Sequence, residues 1–236
     1  MAEVLPAILD KDYKTMYAHL QSVVGLVRTT QIDFCDGVFV PSKTWPYASG
    51  IDENGNFKDE HFLKILNEEE GMPFWQEIEF ELHMMIKNGS KHFDTFMKLG
   101  PKSMLFQIEA EESIEDFKEF VEGLDPYVRD NVKIGISVTT STPVKDIESL
   151  LSIVDHVQFM GIARVGEQGL PFDERVFAHI QEVHEKYPDL LIAVDGSVNT
   201  TTAPRLVEAG VKNLIIGSAL LNSENIPETV KEFQSL

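Results

Sequence analysis

Eight short, apolar, β-rich runs alternate with amphipathic helical stretches along this chain, and that alternation constrains the fold more than any single motif does. The runs are Val4–Leu9, Val27–Phe34, Ile78–Met85, Ser103–Glu109, Val132–Val138, His156–Ile162, Leu190–Val194 and Asn213–Ile216. After them the pattern predicts helices at about Lys11–Val24, Asp59–Glu69, Ser90–Leu99, Ser113–Glu122, Val144–Ile153, Glu174–Lys186, Thr202–Ala209 and Ile226–Phe233. Strands joined by helical crossovers run parallel. Eight such units favour closure into an α/β (β/α)8 TIM barrel over an open doubly wound sheet. No Gly-x-Gly-x-x-Gly follows the first strand, which argues against a dinucleotide fold.

Local punctuation agrees with this reading. Thr142-Pro143 places a proline near the start of the fifth helix. Asn199-Thr200-Thr201-Thr202 offers caps for the seventh, and Gly210 ends it where a left-handed residue is wanted. At 236 residues, 43% of them hydrophobic, the chain suits one barrel domain over residues 1–236. The long irregular stretch is about residues 38–58, with Pro41, Trp45-Pro46, Gly50, Asn54-Gly55 and Asn56. It follows the second strand, so it is expected at the barrel mouth, either as a lid or as a plain surface insertion.

With 20 Lys+Arg against 39 Asp+Glu, the formal net charge is -19. A surface this acidic repels nucleic acid and anionic membranes, so neither is an expected partner. A phosphorylated substrate would have to be held locally, by backbone N–H groups. Cys35 is the only cysteine, which rules out an intrachain disulfide and points to a reducing compartment. Met1-Ala2-Glu3-Val4-Leu5-Pro6 lacks the basic and apolar regions of a signal peptide, and no apolar run reaches membrane-spanning length. A cytoplasmic protein is expected. Homo-oligomerisation through the outer helical faces is compatible with the sequence.

Parallel barrels converge the C-terminal ends of their strands on one mouth. Three titratable residues near the ends of predicted strands are singled out: Asp33 in Ile32-Asp33-Phe34-Cys35-Asp36-Gly37, His83 in Leu82-His83-Met84-Met85, and Asp195 in Val194-Asp195-Gly196. Proton abstraction beside a carbonyl needs a base on one face of the carbon, and inversion needs an acid on the other. Two aspartates from separate strands can flank a substrate in that way, or each can cap the segment that follows it. Glu81 shares a strand face with His83 by alternation, and it could pair with that histidine or act as a further acid. The histidines His19, His61, His92, His156, His179 and His184 are read mostly as helix-surface residues without a role. Cys35, Met84, Met85 and Met160 are read as core filling.

Glycine-bearing turns after late strands supply phosphate-site candidates: Gly166-Glu167-Gln168-Gly169, Gly196-Ser197 and Gly217-Ser218. Arg164 is either a charged hydrogen-bond donor to substrate or a solvated loop residue.

These pieces, taken in order with Pro6-Ala7-Ile8-Leu9, Asp33-Phe34-Cys35-Asp36-Gly37-Val38-Phe39-Val40-Pro41, Thr142-Pro143 and Ile216-Gly217-Ser218-Ala219, resemble the ribulose-phosphate 3-epimerase family. The resemblance spans nearly the whole chain. It implies a cytoplasmic carbohydrate isomerase acting on ribulose 5-phosphate, xylulose 5-phosphate or a related ketose phosphate. It implies a 1,1-proton transfer through an enediolate, with Asp33 and Asp195 as the acid–base pair. It also implies a divalent metal (Zn, Fe, Mn or Co) held by Asp33, His83 and Asp195. Gln31 stands where the family has a histidine ligand, and an amide oxygen is a poorer zinc ligand than imidazole. The family's first-strand serine is Ala7 here, the methionine over its enediolate is Cys35, and its second glycine after the last catalytic aspartate is Ser197. Phosphate would be held by Gly196, Ser197, Gly217 and Ser218, helped by Gly166 and Gly169. A lyase or synthase of the same superfamily would carry Asp-x-Lys-x-x-Asp on one strand, which is absent near Asp33. A barrel that only binds a phosphorylated ligand is the remaining alternative.

Overall fold

A computed structural model describes residues 2–166 and 169–236 of the chain. The strands are β1 (Glu3–Ile8), β2 (Thr29–Cys35), β3 (Glu79–Met85), β4 (Ser103–Gln107), β5 (Lys133–Thr139), β6 (His156–Met160), β7 (Leu191–Asp195) and β8 (Asn213–Ile216). All pair in parallel with their sequence neighbours, and β8 closes on β1. The predicted (β/α)8 barrel is therefore the fold, with strand limits within about two residues of those read from the sequence.

Strand alternation sorts side chains into two layers. One set faces outward and packs under the helices: Ile32 and Phe34 on β2, Phe80, Leu82 and Met84 on β3, Met104 and Phe106 on β4. The other set fills the barrel and is divided in character. Leu5, Ala7, Ala193 and Ile215 make a small apolar cluster from β1, β7 and β8. Gln31, Asp33, Glu81, His83, Gln107, Ser137, His156 and Gln158, all buried, come from β2 to β6. The barrel interior is thus apolar on one side and polar on the other.

The helices are shorter than their periodicity suggests. Ser90–Leu99 resolves into a 3-10 turn, Gly89–His92, and a short helix, Phe93–Met97. Val144–Ile153 is helical only over Val144–Ile147. Two further short helices, Pro126–Asn131 and Ser218–Leu221, have no counterpart among the predicted ones.

The stretch after β2 is anchored at both ends. The Thr44 hydroxyl donates to Asp33 O at 2.7 Å and accepts from Cys35 N at 2.9 Å. Trp45 is buried against Phe34 and Phe62, and its indole donates to Asp59 Oδ1 at 2.8 Å. The same carboxylate caps the helix Glu60–Leu66 by accepting from Phe62 N at 3.0 Å. On the mouth side, Ser42 Oγ donates to Gly166 O at 2.6 Å.

Candidate active site

The polar strand ends meet as the barrel geometry requires. Asp33 and His83 are register partners across β2 and β3, and Met160 and Asp195 are partners across β6 and β7. Their neighbourhood opens on a cavity lined by Ala7, Asp33, Met85, Met160 and Asp195 on the strands. Every residue predicted for phosphate also lines it: Gly166, Gly169, Gly196, Ser197, Gly217 and Ser218. Glu167 and Gln168 of that first turn lie outside the described residues. Arg164 is exposed on the same loop and is not part of the lining.

His83 is fully buried and is not part of the cavity lining. Its Nδ1 lies 3.2 Å from Asp33 Oδ1, and its Nε2 lies 3.2 Å from Gln107 Oε1. One ligand atom from each of Asp33, His83 and Asp195 falls within 4.8 Å of the others. Gln31 is also fully buried; its Nε2 donates to Asp33 Oδ1 at 2.9 Å. Gln31 Oε1 has no hydrogen-bond partner among the described residues.

Electrostatics follow from burial and crowding. Burial, then the Asp33 carboxylate, pushes Asp195 up to about 7, although His83, the Gly196 N–H and Gln31 pull the other way. Burial opposes a charged His83, but the hydrogen bond and charge of Asp33, with Asp195, outweigh it and raise the imidazole above its usual value. A carboxyl poised near neutrality can either take or give a proton under working conditions.

The donor set fits a divalent cation. Two carboxylates and an imidazole converge, and a buried amide oxygen beside them lacks a partner among the described residues. Hard and borderline divalent ions take such a mixture of oxygen and nitrogen ligands.

Other expectations are corrected. Glu81 does not pair with His83: its Oε2 lies 3.0 Å from His156 Nε2. His156, which begins a predicted strand but is given no role by the sequence, is the buried first residue of β6, and a Cβ on Gly135 would collide with its ring. Glycine at 135 therefore makes room for this buried pair. Cys35 is core filling as expected: it is buried with Met85, Met160 and Val40 and does not line the cavity, and burial pushes its thiol up. The soft side chains that do line it are Met85 and Met160.

Glycine and near-glycine backbone shapes the rim. Gly161 N donates to Asp195 O at 2.6 Å, and a Cβ on Gly161 would stand 2.5 Å from Gly196 O. Ser197 adopts φ 53°, a left-handed conformation that a serine rarely takes. Its Oγ donates to Leu170 O, tying the turn after β7 to the loop after β6. The sequence alone marks no role for Gln107 and Glu109, which stand directly behind His83. Their spacing, polar at i and i+2 at a strand end, repeats that of Gln31 and Asp33.

Comparison with known proteins identifies the family and the fold. The model of the ribulose-phosphate 3 epimerase family matches residues 55–221. The ribulose-phosphate 3-epimerase of Bacillus subtilis is 28% identical, covering 99% of both chains, and that of Aquifex aeolicus is 24% identical, covering 100% of this chain and 97% of the relative. Among solved structures, KGPDC from Streptococcus mutans superposes with TM-score 0.69 at 11% identity, covering 99% of this chain and 96% of that one. The 3-hexulose-6-phosphate synthase of Salmonella typhimurium gives 0.65 at 12%, covering 99% and 97%. At such identities these structures speak to the barrel fold.

Proposed function

The chain belongs to the ribulose-phosphate 3 epimerase family and is a sugar-phosphate epimerase, and we propose that it inverts C3 of ribulose 5-phosphate, or of a related ketose phosphate, by proton transfer between two carboxylates. The observation that carries this reading is the presence of Asp33 and Asp195, from β2 and β7, on the wall of one cavity whose rim is glycine-rich.

In this reading one aspartate removes the C3 proton, which leaves an enediolate across C2 and C3. The other aspartate then returns a proton to the opposite face of C3. The pair works in either direction because the carboxylate that has taken a proton is the acid for the reverse reaction. Asp195, poised near 7, exchanges its proton readily at neutral pH. Asp33, His83 and Asp195 would hold a divalent metal, with Gln31 joining through its amide oxygen if the side chain turns by half a rotation. Such an ion, when bound, polarises the ketone and stabilises negative charge on the adjoining oxygens.

The phosphate would lie against backbone N–H groups of Gly196, Ser197, Gly217 and Ser218, with Gly166 and Gly169 closing from the loop after β6. Backbone donors answer the problem posed by a net charge of -19, since they supply local positive potential without a cationic side chain. Ala7 lines the cavity where the family has serine, so a substrate hydroxyl near β1 loses a partner there. This departure is why a related ketose phosphate stays within the proposal. The segment from 38 to 58 would act as a cover through Val40 and Ser42, which approach Gly166.

The test is direct: ribulose 5-phosphate is supplied with purified protein and each of Zn²⁺, Fe²⁺, Mn²⁺ and Co²⁺ in turn. The reading predicts that xylulose 5-phosphate forms; no product from this or any other ketose phosphate would overturn it.

A further inference from the structure

β2 outruns its neighbour on one side. Its register with β1 ends at Ile32 and Ile8, while its register with β3 continues to Cys35 and Met85. Asp33, Phe34 and Cys35, the last residues of the strand, therefore have a partner strand on one side only. The open edge is filled from the segment that follows. The Thr44 hydroxyl donates to Asp33 O at 2.7 Å and accepts from Cys35 N at 2.9 Å. Thr44 N donates to Cys35 O at 3.1 Å, and Trp45 N donates to Asp10 O at 2.8 Å, just past the end of β1. Residue 44 thus stands where β1 would have continued, and residue 45 ties it to the point where β1 stopped. A backbone N–H only donates and a carbonyl only accepts, so the direction of both hydroxyl bonds is fixed.

We infer that Thr44 is a positioning residue for Asp33: its hydroxyl clamps the backbone on both sides of Phe34 and sets where the Asp33 carboxylate stands in the cavity. Thr44 is buried and is not part of the cavity lining, whereas Asp33 is. Thr44 can therefore act on the cavity only through the strand it holds. Valine has the shape of threonine without the hydroxyl, and at this position it would leave Asp33 O and Cys35 N buried without that partner. A misplacement of about 1 Å in a reacting group costs about 10²-fold in rate. The effect on turnover rests on the proposed role of Asp33 in proton transfer; the clamp itself does not.

The test has two readouts. In metal-free protein labelled with ¹³C-aspartate, the Asp33 carboxyl signal is assigned by its absence from Asp33→Asn. Turnover of ribulose 5-phosphate is measured with the metal that serves the wild type best. In Thr44→Val the Asp33 signal is expected to move, and kcat to fall about 10–100-fold with inorganic phosphate binding unchanged. Thr44→Ser, which keeps the hydroxyl, should restore both the signal and kcat. Added to Asp33→Asn, Thr44→Val should lower the melting temperature as it does in the wild type but leave the residual kcat where it was. Thr44→Ala carries the same predictions and replaces Thr44→Val if circular dichroism shows that valine prevents folding. An unmoved Asp33 signal in the folded variant overturns the inference and leaves the proton-transfer reading untouched. An equal fall in kcat in the Asp33→Asn background also overturns it, because the effect would not pass through Asp33. A moved signal with wild-type kcat upholds the clamp and counts instead against Asp33 as a proton-transfer residue.

Discussion

Gln31 Nε2 stands 2.9 Å from Asp33 Oδ1, two residues along the same strand, so the amide turns its donor to the carboxylate that lines the cavity. The consequence is a buried Gln31 Oε1 without a partner among the described residues. A buried amide oxygen left unpaired costs about 1–3 kcal/mol, and a cation between Asp33, His83 and Asp195 would give it a reason to turn.

Imidazole is the better zinc ligand at that position. Gln31→His is expected to tighten Zn²⁺ binding by about tenfold or more, some 1.4 kcal/mol, in a chelator-competition titration. Unchanged affinity would place position 31 outside the ligand set.

The metal-free protein should lose stability as pH rises. Asp195 has a folded value of about 7 against an ordinary 3.8, so the fold binds this proton more tightly than the unfolded chain does. That stabilisation is complete below about pH 4 and is lost as pH climbs through 7. His83, also raised, acts with the same sign. Between pH 5 and 8 the loss for Asp195 is on the order of 3 kcal/mol, or roughly 6–10 °C in melting temperature. Asp195→Asn should flatten much of the slope. Saturating Zn²⁺ should reverse it, because the ligands must shed their protons to bind. A metal-free wild type that melts at the same temperature across this range would contradict the Asp195 assignment.

Gly161→Ala should damage the site from a distance of one strand. Its Cβ would stand 2.5 Å from Gly196 O, and the Gly161 N–H bonds Asp195 O at 2.6 Å. The ends of β6 and β7 must part, at a cost of about 1–3 kcal/mol, and Asp195 moves with them. Turnover should fall more than binding of inorganic phosphate. Wild-type kinetics in the folded variant would show that Asp195 tolerates displacement.

Much of this is legible in the sequence because the signals are periodic or terminal. Outward Ile32, Phe34, Leu82 and Met84 alternate with inward Asp33 and His83, and alternation gives both the strands and the face on which chemistry sits. Helix ends are less legible: Leu150 and Leu151 continue an apolar pattern past Ile147, where the chain has already turned. The partner of Glu81 is not legible in the sequence, because alternation gives a side chain's face but not its partner across the barrel. His156 comes from three strands away, through the space left at Gly135. Gln107 escapes notice because a neutral amide at a strand end carries no mark of its own. Its partner, His83, comes from the neighbouring strand.

The central claim, two carboxylates on opposite faces of C3, is tested most directly by NMR of ribulose 5-phosphate incubated in D₂O with metal-loaded protein. The account predicts deuterium at C3 together with xylulose 5-phosphate. It predicts that Asp33→Asn and Asp195→Asn, folded as the wild type, each lose at least about 10²-fold in product formation. Inversion without deuterium at C3, or near wild-type turnover in either variant, would contradict it.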